Sequence, residues 1–225
     1  MPSKNSLKVY LENGYYHIYN RGVEKRIIFE DPQDYSVFLS YLKEYLLPKD
    51  MNSLQQALAN PSTPREVKQK ILRLLRLNNF SGKITLYAYC LMPNHFHLLI
   101  KQAEPHSIDV FMNSLCTRYT MYFNRKHKRV GRLYQDVYKA VIIENDEYLL
   151  HLSRYIHKQA IVVQGDPLHN QPSSFENYLG FKQAEWVKHK DILDYFSRKN
   201  SSLDYESFVN QSEENLLIGR LLLEE

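Results

Sequence analysis

Cysteine is nearly absent: Cys90 and Cys116 stand far apart and in no CxxC, which excludes a disulfide framework and a zinc ribbon. Glycine is scarce too, seven in 225 residues, and no Walker-type glycine loop occurs among them, so nucleotide-driven chemistry finds no seat. No stretch reaches the roughly 18 consecutive apolar residues of a membrane span, and "MPSKNSLKVYLE" at the start lacks a signal peptide's apolar run. The expectation is a soluble, cytoplasmic protein. What is plentiful is aromatic: 18 tyrosines and 10 phenylalanines accompany a net charge of +4, a combination that suits contact with polyanions and stacking on bases. With 44% hydrophobic residues the chain buries a substantial core, and one elaborated domain is expected.

The order of elements is readable from periodicity. "YYHIYN" (15 to 20) is a short aromatic and β-branched strand ending in "RG". Asp31 as N-cap and Pro32 at the first helical position open a helix with Phe38, Leu42, Tyr45 and Leu46 on its apolar stripe, and Pro48 stops it. Residues 48 to 83 read as an insertion, in which Thr63 and Glu66 resemble a capping box for "REVKQKILRLLRL". "KITLYAYCLM" (83 to 92) and "HFHLLIKQ" (95 to 102) form a hairpin turning at Pro93-Asn94. A helix over about 107 to 126 and a strand at 138 to 144 follow. That β-α-β-β-α-β order is the α+β, ferredoxin-like (RRM-like) pattern: an antiparallel sheet with helices on one face and the other face available for a site. A further helix, capped by Asn145 and running to about Val163, carries Tyr148, Tyr155 and Gln159 along one stripe. The expected organisation is a catalytic domain over 10–165 and a C-terminal helical extension over 166–225, with short helices near 191 to 198, 204 to 211 and 213 to 223.

The chemistry concentrates in "MPNHFHLLIK" (92 to 101). Strand side chains alternate, so His95 and His97 share one face while Phe96, Leu98 and Ile100 take the other. Two imidazoles beside a core need a partner. With a carboxamide from a nearby helix, that of Gln159, they would make a three-point site for a divalent metal, Mg²⁺ or Mn²⁺, that leaves positions for phosphate oxygens. Tyr155 lies one turn from Gln159. A phenol with a reference pKa of about 10 is a poor nucleophile at neutral pH, but an adjacent cation favours the phenolate. The basic run "NRKHKRVGR" (124 to 132) supplies Arg125, Lys126, Lys128, Arg129 and Arg132 for phosphates, and Tyr134, Gln135 and Lys139 beyond it are candidates for base stacking or backbone contact. His17 and His151 read as packing or surface histidines, and Tyr148 as a rival nucleophile.

Together "YNRG", "LMPNHFHLLI", "GRLYQDVYKAVII" and "YLLHLSRYIHKQ" resemble the HUH single-tyrosine transposases, including the REP-associated tyrosine transposases of bacteria, over about residues 10 to 165, with a weaker echo at "PSSFENYLG" (172 to 180). The resemblance implies that His95 and His97 are metal ligands, that Tyr155 of the "YI" helix is the nucleophile, and that Gln159 is the third ligand. It implies single-stranded, hairpin-forming DNA as substrate, a 5′-phosphotyrosine intermediate, and a nucleoid-associated location. In some relatives the tyrosine helix is exchanged within a dimer, so a homodimer is the other partner expected, with Gly131 or Gly165 as pivot. Gln159-Ala160 stands where REP-associated relatives often carry Asn-Pro, which is closer to the insertion-sequence branch. The alternatives are a non-catalytic nucleic-acid binder on the same fold and a metal-dependent nuclease that uses water. Both make the tyrosine dispensable.

Overall fold

In a computed structural model the protein is described over residues 9–161, 171–196 and 201–211. Four strands form one sheet in the order β2-β3-β1-β4, all neighbours antiparallel: β1 (Tyr15–Arg21), β2 (Ile84–Met92), β3 (His95–Gln102) and β4 (Lys139–Ile143). Helix α1 (Pro32–Leu46) joins β1 to β2 and helix α4 (Ser107–Lys126) joins β3 to β4, which is the ferredoxin-like connectivity. Asp31 opens α1 as read from sequence, its carboxylate accepting from the Gln33 and Asp34 amides.

The insertion between α1 and β2 holds helices α2 (Met51–Ala59) and α3 (Arg65–Arg76) packed on each other. The expected capping box is not formed. Pro64 occupies the N-cap of α3 with no side-chain bond, while Asp50 caps α2 through the Ser53 amide at 3.0 Å. The Pro93-Asn94 hairpin is present between β2 and β3.

Each face of the sheet has its own core. Phe96, Leu98 and Ile100 of β3 join Ile18 of β1 and Phe38, Leu42, Phe111, Leu115, Tyr119 and Phe123 of α1 and α4. The opposite face is covered by α5 (Asp146–Ala160), which packs Leu149, Leu152, Tyr155 and Ile156 against Ala88, Cys90 and Leu99. Short helices α6 (Phe175–Tyr178) and α7 (Lys190–Leu193) and helix α8 (Ser201–Asn210) enclose that second core with Tyr178, Ile192, Tyr205 and Val209. The chain after α5 is therefore stitched to the sheet: the Leu91 amide bonds the Pro172 carbonyl at 2.9 Å, and the Lys188 amide bonds the Leu86 carbonyl at 2.8 Å. Helix α5 ends at Ala160. Val163, Gly165 and the amphipathic segment 213 to 223 lie outside the described residues.

Candidate active site

The sheet register builds the site before any helix is considered. In β1–β3 pairing Arg21 lies opposite His95 and Tyr19 opposite His97, and in β1–β4 pairing Lys139 lies opposite Tyr19. Directly opposed residues share a face, so His95, His97, Arg21, Tyr19 and Lys139 all project toward the α5 side. The His95 and His97 rings are 5.0 Å apart between centroids and nearly perpendicular, at 89°. Tyr155, itself only 7% exposed, sets its ring edge-on to His97 at 5.5 Å. Nucleophile candidate and imidazole meet within one chain. Gln159 is half-buried on the next turn of α5.

Burial keeps these imidazoles neutral. It pushes His95 down to about 4, with the Arg21 guanidinium adding to the effect, and holds His97 well below the usual histidine range, with His17 and His95 contributing. Neutral imidazole is the ligand form. The Asn94 Oδ1 lies 2.6 Å from His95 Nδ1, and because a carboxamide oxygen only accepts, that nitrogen carries the proton and Nε2 carries the lone pair. Asn94 is held in turn, its Nδ2 donating to the Lys25 carbonyl at 3.3 Å. This donor chemistry fits a divalent ion. Among the described residues no group of three or more His, Cys, Asp or Glu side chains is arranged to hold one.

The loop after β1 braces the histidine turn. The Gly22 amide donates to the Asn94 carbonyl at 2.8 Å, and the Ile28 and Phe29 amides both donate to the Pro93 carbonyl. Any Cβ at Gly22 would lie 2.2 Å from the Arg26 carbonyl, so the "YNRG" run requires glycine there. Arg21 is oriented by Gln135, whose Oε1 accepts from Nε at 3.2 Å and from Nη2 at 3.1 Å.

The remaining residues expected to meet DNA are distributed unevenly. Lys126 is bound to Asp31 at 2.6 Å and to buried Asp34 at 2.7 Å. Arg129 donates to the Asn124 side chain and the Arg132 carbonyl and lies over the Phe123 ring. Arg125 and Lys128 are exposed, and Arg132 lines a groove of about 910 Å³ between α4 and the 132–138 segment. Tyr134 also borders that groove but is buried, its ring edge against Phe96 on the α1/α4 side of the sheet, so stacking on a base is closed to it as it stands. Of this set, Lys139 lies across β1 from His97 in the sheet register and Gln135 bonds Arg21, the residue opposite His95. Tyr148, the rival nucleophile, occupies the first turn of α5, where its amide is capped by Asn145 at 2.9 Å.

Sequence reasoning read His17 as a packing or surface histidine and gave Tyr19 and Arg21 no role of their own. Alternation along β1 already placed the three on one face. Only the inter-strand register shows that this face carries His95 and His97.

Residues 61–159 match the family model described as transposase IS200 like. Among solved structures, a REP-associated tyrosine transposase bound to a REP hairpin is similar at 12% identity and a TM-score of 0.41, covering 83% of this chain and 98% of that one. A candidate transposase from Deinococcus radiodurans R1 is similar at 16% identity and a TM-score of 0.28, covering 71% of this chain and 98% of that one. No curated protein sequence matches the chain.

Proposed function

We propose that the protein, whose residues 61–159 match the IS200-like transposase model, cleaves and rejoins single-stranded DNA through Tyr155. The observation that carries the proposal is the edge-on contact of the Tyr155 ring with His97 on the face that also presents His95 and Arg21. Helix α5 delivers the phenol, and β3 delivers the imidazoles.

In the proposed reaction the Tyr155 Oη forms a bond to the scissile phosphorus while the bond from phosphorus to the 3′ oxygen breaks. The phenol gives up its proton and the departing 3′ oxygen gains one, so a 5′-phosphotyrosine and a free 3′-hydroxyl result with no net proton change. A second 3′-hydroxyl reverses the step. No high-energy cofactor is needed, since one phosphodiester is exchanged for another. His95, His97 and Gln159 would hold a Mg²⁺ or Mn²⁺ ion, whose chemistry there is to polarise the phosphate and favour the phenolate. Arg21, fixed by Gln135, offers its guanidinium to a non-bridging phosphate oxygen. Buried walls around His97 and Tyr155 exclude competing water. By the motif resemblance the substrate is an imperfect palindrome folded as a hairpin.

The test is a denaturing gel of protein incubated with Mn²⁺ and a labelled single-stranded palindrome. Parent protein and Tyr148→Phe give a covalent adduct, and Tyr155→Phe gives none while still binding the hairpin. An adduct surviving in Tyr155→Phe overturns the proposal. Cleavage without any adduct means that water is the nucleophile.

A further inference from the structure

Both imidazoles of the β3 pair are held at the same atom. Asn94 Oδ1 accepts a hydrogen bond from the Nδ1–H of His95. At His97 the partner is another histidine: His17 Nε2 lies 2.9 Å from His97 Nδ1, and the two rings stack at 20° with centroids 5.1 Å apart. His17 is completely buried, its other nitrogen has no hydrogen-bond partner among the described residues, and its ring also meets Tyr19 at 4.9 Å and the Tyr155 edge at 6.2 Å. A fully buried imidazole with one unpaired nitrogen is a poor packing element between Tyr16 and Ile18, so its hydrogen bond to His97 calls for a purpose.

We propose that His17 is a positioning residue that accepts a hydrogen bond from the Nδ1–H of His97 and so keeps the lone pair on the Nε2 of that ligand. The inference rests on the reading of His95 and His97 as metal ligands and adds what sets one of them. Two neutral imidazoles joined by a single hydrogen bond have two arrangements. With the proton on His97 Nδ1, Nε2 is an acceptor and can ligate an ion. With the proton on His17 Nε2, His97 carries its own proton on Nε2, and that nitrogen cannot ligate. Asn94 removes the same ambiguity at His95, since its oxygen accepts only. His17 is thus the β1 counterpart of Asn94, brought to His97 by its diagonal position in the β1–β3 register, where its own opposite residue is Leu99.

The experiment uses the full chain with uniform ¹⁵N label and no metal. Long-range ¹H–¹⁵N spectra of the parent show His97 as the Nδ1–H form, and His17→Leu shifts it toward Nε2–H. Mn²⁺ titration followed by the signal of the free ion then gives an affinity lowered about 10- to 100-fold in His17→Leu. His17→Gln, whose carboxamide oxygen accepts from Nδ1, stays within a few-fold of the parent. A merely structural role for His17 does not separate Gln from Leu in this way, and melting curves run beside the titrations show that both variants are folded. Parent His97 found as Nε2–H overturns the proposal, as does His17→Leu binding Mn²⁺ like the parent or His17→Gln losing as much as Leu. The control is His97→Ala. If that variant binds Mn²⁺ like the parent, the ligand reading falls and takes the purpose of His17 with it, whereas failure of the His17 variants alone leaves the ligand reading standing.

Discussion

On the side of the sheet closed by α1 and α4, the residues between the strands and helices are Phe, Leu, Ile and Tyr, and the buried carboxylate of Asp34 sits at the margin with Lys126, His127 and Tyr122 around it. On the side closed by α5 the same strands present His17 and His97, and the covering elements add buried Ser153, Arg154, His157 and Ser174. Ser153, His157 and Ser174 are linked through one network: Ser174 Oγ and the Tyr205 hydroxyl each bond a nitrogen of His157 at 2.7 Å, and the Tyr205 hydroxyl donates to Ser153 Oγ at 3.0 Å. Nonpolar burial makes the first face a source of stability, about 25 cal/mol per Å² removed from water, whereas hydrogen-bonded polar burial makes the second a place where groups are held in fixed orientation. Period-two alternation lets a single strand serve both. The C-terminal elements tie into the second face, where Arg154 in α5 lies over the Phe208 ring and donates to the Gln211 carbonyl, while Val187 alone of their described buried residues joins the first core.

Neighbouring residues of β3 give the sharpest contrast. Phe96 is completely buried among Phe38 and Tyr134, and Phe96→Ala is expected to cost about 3–5 kcal/mol in urea denaturation, since the cavity adds to the lost transfer energy. His97→Ala is expected to abolish adduct formation at a smaller stability cost. If the two substitutions cost the same stability, the division of labour between the faces is wrong.

Acid should act on the α5 side. Burial pushes His157 down to about 3, against about 6.5 in an unfolded chain, and His17 down to about 3 likewise. A histidine depressed on folding takes up its proton more readily when unfolded, so its environment costs nothing above pH about 6.5 and stability is lost as pH falls from there toward the folded value. The loss is about 1.4 kcal/mol per pH unit for each such group, or about 2 kcal/mol per histidine between pH 6.5 and 5. Denaturation at several pH values measures it. His157→Gln should flatten the slope by one proton, and an unchanged slope would mean that His157 is not protonated on unfolding in this range.

How much of this was legible depended on how local the signal was. The β-α-β-β-α-β order follows from periodicity and from residues such as Asp31, Pro32 and Asn145 that start helices by their own chemistry, and the shared face of His95 and His97 follows from strand alternation. His17 meets His97 only because β1 pairs with β3 in one register, and nothing local to "YYHIYN" specifies that. The closure of the second core by Tyr178 and Tyr205 is equally non-local. Charge runs misled for a related reason: "NRKHKR" looks uniformly free along the chain, yet Lys126 finds Asp31 and Asp34 across the fold. Thr63 had the spacing of a capping box, but Pro64 took the N-cap position of α3.

That last group of cations supplies the smallest effect and the finest test. Lys126 holds two carboxylates, one of them fully buried, so Lys126→Ala is expected to cost about 1–3 kcal/mol of stability by leaving Asp34 short of a charged partner, and to leave the salt dependence of DNA binding unchanged. Lys139 is exposed and lies in the cross-strand row with Tyr19 and His97, two strands or about 10 Å from the imidazole strand. Its ammonium is placed for a phosphate of a strand entering the site. Lys139→Ala should leave stability within experimental error and lower the slope of log affinity against log salt by about 0.7, the share of one single-strand phosphate contact. Arg125 and Lys128, exposed at the end of α4, should each behave like Lys139 if the strand continues past the basic run, and like neutral bystanders if it does not. The measurement is fluorescence anisotropy of a labelled hairpin across a salt series for the single variants. A slope reduced in Lys126→Ala and unchanged in Lys139→Ala would reverse the assignment of cations to the two faces.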